Sequence, residues 1–214
     1  MRHFFGFFYL YKSVKSIYKT STYYTKESIM KKNFGNKPYI YPMPVLIIAT
    51  YNADGTANAM NAAWGGVCDY SKISIIIDRN HKTTKNILER KAFTVSIADI
   101  PHIIEADYFG IVSGNKVPDK IEKSGLHCIK SEFVDAPLIE EFPLTLECRL
   151  ISYDDQTERV IAEVINTAID ESILTDDKID LSKFSPIIYD SMNHDYIALG
   201  KKVGKAFSDG NKLK

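Results

Sequence analysis

The sequence predicts a mainly β protein, a barrel or sandwich with a few short helices. Three observations lead there. β-Branched and aromatic runs with strand-like alternation recur along the chain. Turn dipeptides or polar loops bound most of them. The helical patterns are short insertions, not long helices alternating regularly with strands, which argues against a doubly wound parallel sheet. No internal repeat, low-complexity stretch or linker breaks the pattern, so the 214 residues read as one compact domain with an appendage.

The first strand is "PVLIIATYN" (44–52), apolar and closed by the turn signal "NADG"; "TANAMN" then returns as a hairpin partner. "KISIIID" (72–78) is the next strand, "TTKNILERK" (83–91) a short helix, and "AFTVSIA" (92–98) a strand of period two. "IPHIIEADYFG" (100–110) predicts a short helix stopped by Gly110. In the polar loop that follows, Pro118 favours one or two helical turns. "HCIKSEFV" (127–134) is a further strand. "FPLTLECRLISYD" (142–154) and "RVIAEVINTAID" (159–170) are the two longest, separated by "DQTE". "PIIYD" (186–190) and "DYIALGKKVGKAF" (195–207) close the chain.

Lys+Arg and Asp+Glu balance at 27 each, so no global field draws the chain to nucleic acid or an anionic membrane, and neither is expected as a partner. Cys68, Cys128 and Cys148 are odd in number and widely spread, without CxxC or zinc-ligand spacing. No disulfide framework or metal site is expected, and a reducing cytoplasm suits the chain. Residues 1–29 are basic, crowded with aromatics and lack a core pattern; their apolar run Phe4–Tyr11 is too short to span a bilayer. They are expected to be an upstream extension, non-native or disordered, with Met30 opening the domain proper at 30–214.

Two segments could carry chemistry. In "HKTTKNILER" (81–90), Thr83 or Thr84 is a good N-cap. Lys82 and Lys85 stand at or near the first turn, on the positive side of the helix dipole, where each is unfavourable by about 0.3–1 kcal/mol. Two hydroxyls, free N–H groups and two ammonium groups fit together if a phosphate binds there; the competing reading is a capped helix with its lysines in solvent. In "ANAMNAAWGG" (57–66), an extended backbone puts Asn58 and Met60 on one face and Ala59 and Asn61 on the other. Small side chains beside the lone Trp64 suit a planar heterocycle, or else a tightly packed turn with Trp64 in the core. The five histidines show no metal-ligand spacing, and no nucleophile elbow, P-loop or strand–helix GxGxxG is present, which removes the usual hydrolase, kinase and zinc-enzyme classes.

From Met30 onward, and essentially over residues 38–207, the chain resembles the flavin reductase-like family with the FMN-binding split-barrel fold, and within it the flavoredoxin branch. The resemblance rests on "PMPVLIIATYNADGTANAMNAAW", "HKTTKNILERKAFTVSIA", "SGNKVPDKIEKSGL", "APLIEEFPLTLECRL" and "YIALGKKVGKAF" in that order. It implies non-covalent FMN, its ring against Asn58, Met60, Asn61 and Trp64 and its phosphate at Thr83, Thr84 and Lys85. It also implies Lys120 near the cofactor and Tyr189 approaching the ring. Relatives carry a histidine in the strand that here reads "EVINTAID", where this chain has Asn166 or Thr167. The implied activity is NAD(P)H-dependent flavin reduction by hydride transfer, with no catalytic side chain assigned; the alternative is a flavoredoxin-like electron carrier reduced by a redox protein partner. A homodimer is implied as well.

Overall fold

The computed structural model describes residues 30–214, so the expectation for residues 1–29 lies outside the described part. The chain divides after Pro38, and the body of the predicted domain is the unit Tyr39–Lys214. Short β1 (Met43–Pro44) leads into the hairpin of β2 (Leu46–Tyr51) and β3 (Ala57–Ala62), which the "NADG" turn closes as expected. β4 (Gly65–Asp69) and β5 (Lys72–Ile76) form a second hairpin, followed by α1 (Lys82–Arg90), β6 (Ala92–Ile97), α2 (Ile103–Ile111) and α3 (Lys120–Ser124). Next come β7 (Cys128–Lys130), β8 (Pro137–Ile139) and the long pair β9 (Leu144–Asp154) and β10 (Arg159–Ile169). β11 (Leu174–Thr175), β12 (Lys178–Ile179), β13 (Ile187–Asp190) and β14 (Asp195–Ala198) complete the strands.

One seven-stranded antiparallel sheet in the order β3-β2-β6-β9-β10-β5-β4 is the frame. Its two edge strands, β3 and β4, are consecutive in sequence and joined only by Ala63 and Trp64. So short a link spans about 10 Å, which forces the sheet to curl until its edges nearly meet. The result is a split barrel, with the seam between β3 and β4. Gly65 sits at that seam: a Cβ there would lie 2.8 Å from Leu46 Cδ1 on β2 and 3.3 Å from Ser74 O, so a larger residue would require Leu46 to shift. The "WGG" of the sequence thus lets the strand cross the gap while Trp64, half exposed, stays outside it.

The barrel interior is filled by Leu46, Ile48, Ile73, Ile75, Phe93, Val95, Cys148 and Val160, with Ile87 of α1 entering among them. On the other face of β2 and β3, Val45, Ile47, Ala49 and Ala59 pack against Ala106 and Phe109 of α2 and Ile121 of α3. Each fully buried Val, Leu, Ile or Phe side chain among these contributes about 1.5–3 kcal/mol relative to exposure. The expected alternation in β3 holds: Met60 packs toward the barrel interior and Ala59 toward the outer layer. A separate sheet, β1-β13-β14, lies beside the seam and brings Tyr189 near Trp64.

Several expectations need correction. Gly110 does not stop its helix; α2 continues to Ile111, and Gly110 faces Asn61 of β3, whose Cβ would lie in contact, at 3.4 Å, with a Cβ added there. Neither Thr83 nor Thr84 is the N-cap of α1, because the helix starts one residue earlier, with His81 as N-cap and no capping side-chain bond. The strand expected over 127–134 spans only Cys128–Lys130, since Ser131 turns inward to bond Glu147. The closing segment 195–207 is a strand only to Ala198. The short strands β4, β8, β11 and β12 carry too little pattern to have been anticipated.

Candidate functional site

Two adjoining clefts open along the seam, sharing Met60, Asn61, His81, Gly110 and Ile111. The larger, about 430 Å³, has an aromatic wall: the Trp64 and Tyr189 ring centroids are 6.3 Å apart, and Tyr189 and Tyr196 follow at 6.2 Å. Ile76, Ile77 and Ile111 give it an apolar floor and rim, while Asp78 and Asp107 add carboxylates. Asn61 Nδ2 donates to Ala106 O at 2.9 Å, and the Tyr196 hydroxyl donates to Asp107 Oδ1 at 2.9 Å. Burial, with that bond second, pushes the Tyr196 phenol up to about 12, so it remains a donor. The Tyr189 hydroxyl lies 2.8 Å from His194 Nδ1.

The smaller cleft, about 220 Å³, is where two helix ends converge on the edge strand β3. The amino end of α1 presents Lys82 and Thr83, with no acidic residue in its first turn and no side chain capping its N–H groups. The carboxyl end of α2 runs into Val112, Ser113 and Gly114, which line the opposite wall. Lys120, 2% exposed, fastens that end: its Nζ donates to Val112 O at 2.9 Å and Phe109 O at 3.4 Å. Among the described residues no carboxylate pairs with Lys120, and burial lowers its ammonium to about 8. A buried cation without a counter-ion, beside an uncapped helix amino end, makes the cleft complementary to an anion.

Gly114 tightens the arrangement. A Cβ on it would fall 2.2 Å from Asn58 Oδ1 and 3.4 Å from Lys82 Cβ. Asn58 cannot easily yield, because it is buried and its Nδ2 donates to Thr83 Oγ1 at 2.8 Å. Strand β3, the loop after α2 and the first turn of α1 are therefore locked together around the cleft.

Met60, Asn61, Trp64, Thr83, Lys120 and Tyr189 line one cleft or both. Asn58 stands just behind the wall as the bond partner of Thr83. Thr84 is fully buried, and its hydroxyl donates to Asp78 O at 2.7 Å, which shapes the turn before α1. Lys85 is exposed and lines neither cleft; Lys82 is the lysine that faces the smaller one. Asn166 donates from Nδ2 to Glu147 Oε1 at 2.7 Å, and neither it nor Thr167 lines either cleft. Sequence reading missed Gly114, Asp107, Tyr196 and His194. A glycine after "VS" was the available signal for Gly114; the others come from elements distant in sequence.

The family described as flavin reductase like domain matches residues 39–191. Flavoredoxin of Desulfovibrio vulgaris (Miyazaki F) is similar at 38% identity and TM-score 0.81, over 85% of this chain and 100% of that one. Flavoredoxin from Methanosarcina acetivorans is similar at 28% identity and TM-score 0.78, over 86% of this chain and 100% of that one. A protein of Aeropyrum pernix is 27% identical over 114 residues, which spans 52% of this chain and 43% of that relative. With the family match covering both edges of the seam and every cleft-lining residue but His194 and Tyr196, this chain belongs to the flavin reductase like domain family.

Proposed function

We propose that the paired clefts bind FMN non-covalently and that the protein is a flavin-dependent oxidoreductase. The carrying observation is the counter-ion deficit at the smaller cleft: buried Lys120, Lys82 and the uncapped amino end of α1 converge where a phosphate would lie. The fit is good on the other side too, since Trp64, Tyr189, Met60 and Ile77 form an aromatic and apolar slot for a flat ring. FMN supplies the redox chemistry, taking a hydride from a nicotinamide or electrons from another protein. The residues bind it, orient it and leave one face open. Thr83 would hold the phosphate and in turn be held by Asn58; Asn61 stays tied to α2 and keeps the edge strand in place.

NAD(P)H-dependent reduction is the leading reading, supported by membership of the flavin reductase like domain family. The flavoredoxin-like reading, with a redox protein as donor, is favoured by one feature. The larger cleft is lined by Asp78 and Asp107 and by no Lys or Arg, so nothing among its lining residues would hold a dinucleotide's phosphates. An anaerobic absorbance spectrum of FMN-loaded protein with NADH or NADPH separates the two. Rapid bleaching supports the reductase; bleaching by dithionite alone supports the carrier. Protein that takes up no FMN at all sinks both readings.

Trp64→Ala removes one end of the aromatic wall. FMN affinity is expected to fall about fivefold to twelvefold, on the scale of about 1–1.5 kcal/mol for an aromatic contact, with the flavin absorbance bands shifted. A titration followed by fluorescence reads it, and unchanged affinity with an unshifted spectrum would place the ring elsewhere.

The working unit in this reading is a homodimer in the cytoplasm. Three free thiols suit a reducing compartment, and edge strand β4 leaves Val67 82% exposed next to fully exposed Tyr70. Among the described residues no helix is long and apolar enough to cross a membrane.

A further inference from the structure

The hairpin turn between β13 and β14 carries a histidine to which FMN binding by itself gives no task. Asp190 builds the turn: its Oδ1 accepts from the N–H of Met192 at 2.9 Å and of Asn193 at 3.4 Å, and its Oδ2 from Asn193 Nδ2 at 2.7 Å. The Tyr41 hydroxyl donates to the same carboxyl, and these bonds, that of Tyr41 first, hold it down to about 2. His194 closes the turn, its N–H donating to Asp190 O at 2.8 Å. It does so at φ 64, in the left-handed region that Gly or Asn occupies at less cost. Among the described residues six non-glycine positions have positive φ, and His194 alone of them lines either cleft. A less favourable conformation, held rigidly at a cleft wall, points to the side chain rather than to the turn.

The imidazole is oriented as well. Its Nδ1 lies 2.8 Å from the Tyr189 hydroxyl, and the two ring centroids are 6.3 Å apart. Tyr189 is itself 6.3 Å from Trp64, so His194 stands one ring beyond the slot assigned to the flat ring. The ionisable groups facing it in the larger cleft are Asp107 on α2, Asp78 and His81 before α1, Tyr189 on β13 and Tyr196 on β14; its chain neighbour Asp195 lies outside. The Asn80 N–H keeps Asp78 below the usual carboxylate range, and burial keeps the Tyr196 phenol at about 12. Imidazole is the side chain whose charge ordinarily changes between about pH 5 and 8. Of the two imidazoles among the described residues of this cleft, only that of His194 is bonded to the aromatic wall.

We propose that His194 takes up a proton when the bound cofactor is reduced, so that its imidazolium offsets the negative charge that reduction brings into the cleft. The inference rests on the FMN reading and deepens it. Two electrons and one proton leave the cofactor one charge more negative, in a cleft lined by two carboxylates and by no lysine or arginine. A second proton, drawn from water, forms an N–H bond on the imidazole, and oxidation returns it; no other bond is made or broken there. A charge of opposite sign close by favours the protonated ring. In that form Nδ1 donates to the Tyr189 oxygen, which ties the cation to the wall. The electrons come from a nicotinamide or from a redox protein, and the role of His194 is the same for both.

Histidine Cε1–H resonances followed by NMR against pH are the test, in FMN-loaded protein before and after dithionite, which stands in for either natural donor. His194→Asn assigns the resonance and suits the left-handed position, so the turn is kept. A nuclear Overhauser contact to the Tyr189 ring assigns it independently of any variant. The proton affinity of His194 is expected to rise at least about threefold on reduction. By linkage, protonation of His194 favours reduction by the same factor. The redox equilibrium of the wild type, measured against that of His194→Asn, should therefore shift at least about threefold between about pH 5 and 9. A His194 resonance that titrates identically in both redox states, or a shift confined to His81, overturns the proposal and leaves FMN binding intact. A wild type that takes up no FMN overturns the FMN reading and this inference with it.

Discussion

If the smaller cleft holds the FMN phosphate as proposed, raising the pH from 7 to 9 is expected to strengthen the FMN-free protein and weaken its hold on FMN, both through Lys120. Burial lowers this ammonium from 10.5 to about 8 in the folded chain. The sign for folding follows from linkage. Below about 8 the folded protein carries a buried cation that the unfolded chain would keep solvated, which destabilises the fold. As pH rises from about 8 toward 10.5 the folded form has lost its proton and the unfolded form has not, so that penalty is relieved. Binding has the opposite sign. The protonated lysine is the form that attracts a phosphate, so affinity is level below about 8 and falls above it, by at most about tenfold per pH unit for one linked proton. Thermal melts with and without FMN read both at once: the melting temperature of the free protein rises across this window while the increment that FMN adds shrinks. Lys120→Met should abolish both trends and weaken FMN binding at least about tenfold, as the loss of a charge-assisted partner implies. Parallel movement of the two melts with pH would show that Lys120 does not face the ligand.

Gly114→Ala is expected to be the most damaging single methyl group in the molecule. The new Cβ would overlap Asn58 Oδ1 at 2.2 Å, so Asn58 must rotate or the loop must retreat. Rotation breaks the bond from Asn58 Nδ2 to Thr83 Oγ1; retreat opens the wall opposite Lys82. Overpacking of this kind costs about 1–3 kcal/mol of stability, and either movement displaces a residue that faces the smaller cleft. The expected result is a lower denaturation midpoint together with FMN affinity reduced at least about tenfold. The double variant Asn58→Ala/Gly114→Ala removes the overlap. It should recover much of the stability without recovering the affinity, because Thr83 stays unanchored. Full recovery of affinity in the double variant would reduce Asn58 to a spacer.

Much of the frame was legible in the chain because strand pairing between neighbours is a local matter. "NADG" closes β2 onto β3, and "DQTE" separates β9 from β10, because turn residues and period-two alternation act within a few residues. The helix over 82–90 and the alternation of Met60 and Ala59 are of the same kind. The small-residue stretch around Trp64 and the unusual lysines of the first turn of α1 marked where to look, since both break the ordinary preferences of strands and helices.

What the sequence by itself determined was the longer strands, the short helices and the two stretches from which the clefts are built. Only the tertiary structure decided how these act together. Curling of the sheet places β4 beside β3 across a two-residue link, and nothing local in "ANAMNAAWGG" says that its ends lie on opposite edges of one sheet. Choosing Lys82 over Lys85 depends on where α1 starts and which way its first turn faces, a matter of one residue. Lys120 becomes a buried cation only because α3 folds it against the end of α2, and Tyr196 meets Asp107 across 89 positions of sequence. Desolvation and close packing depend on distance in space, and the chain order that a sequence records does not contain that distance.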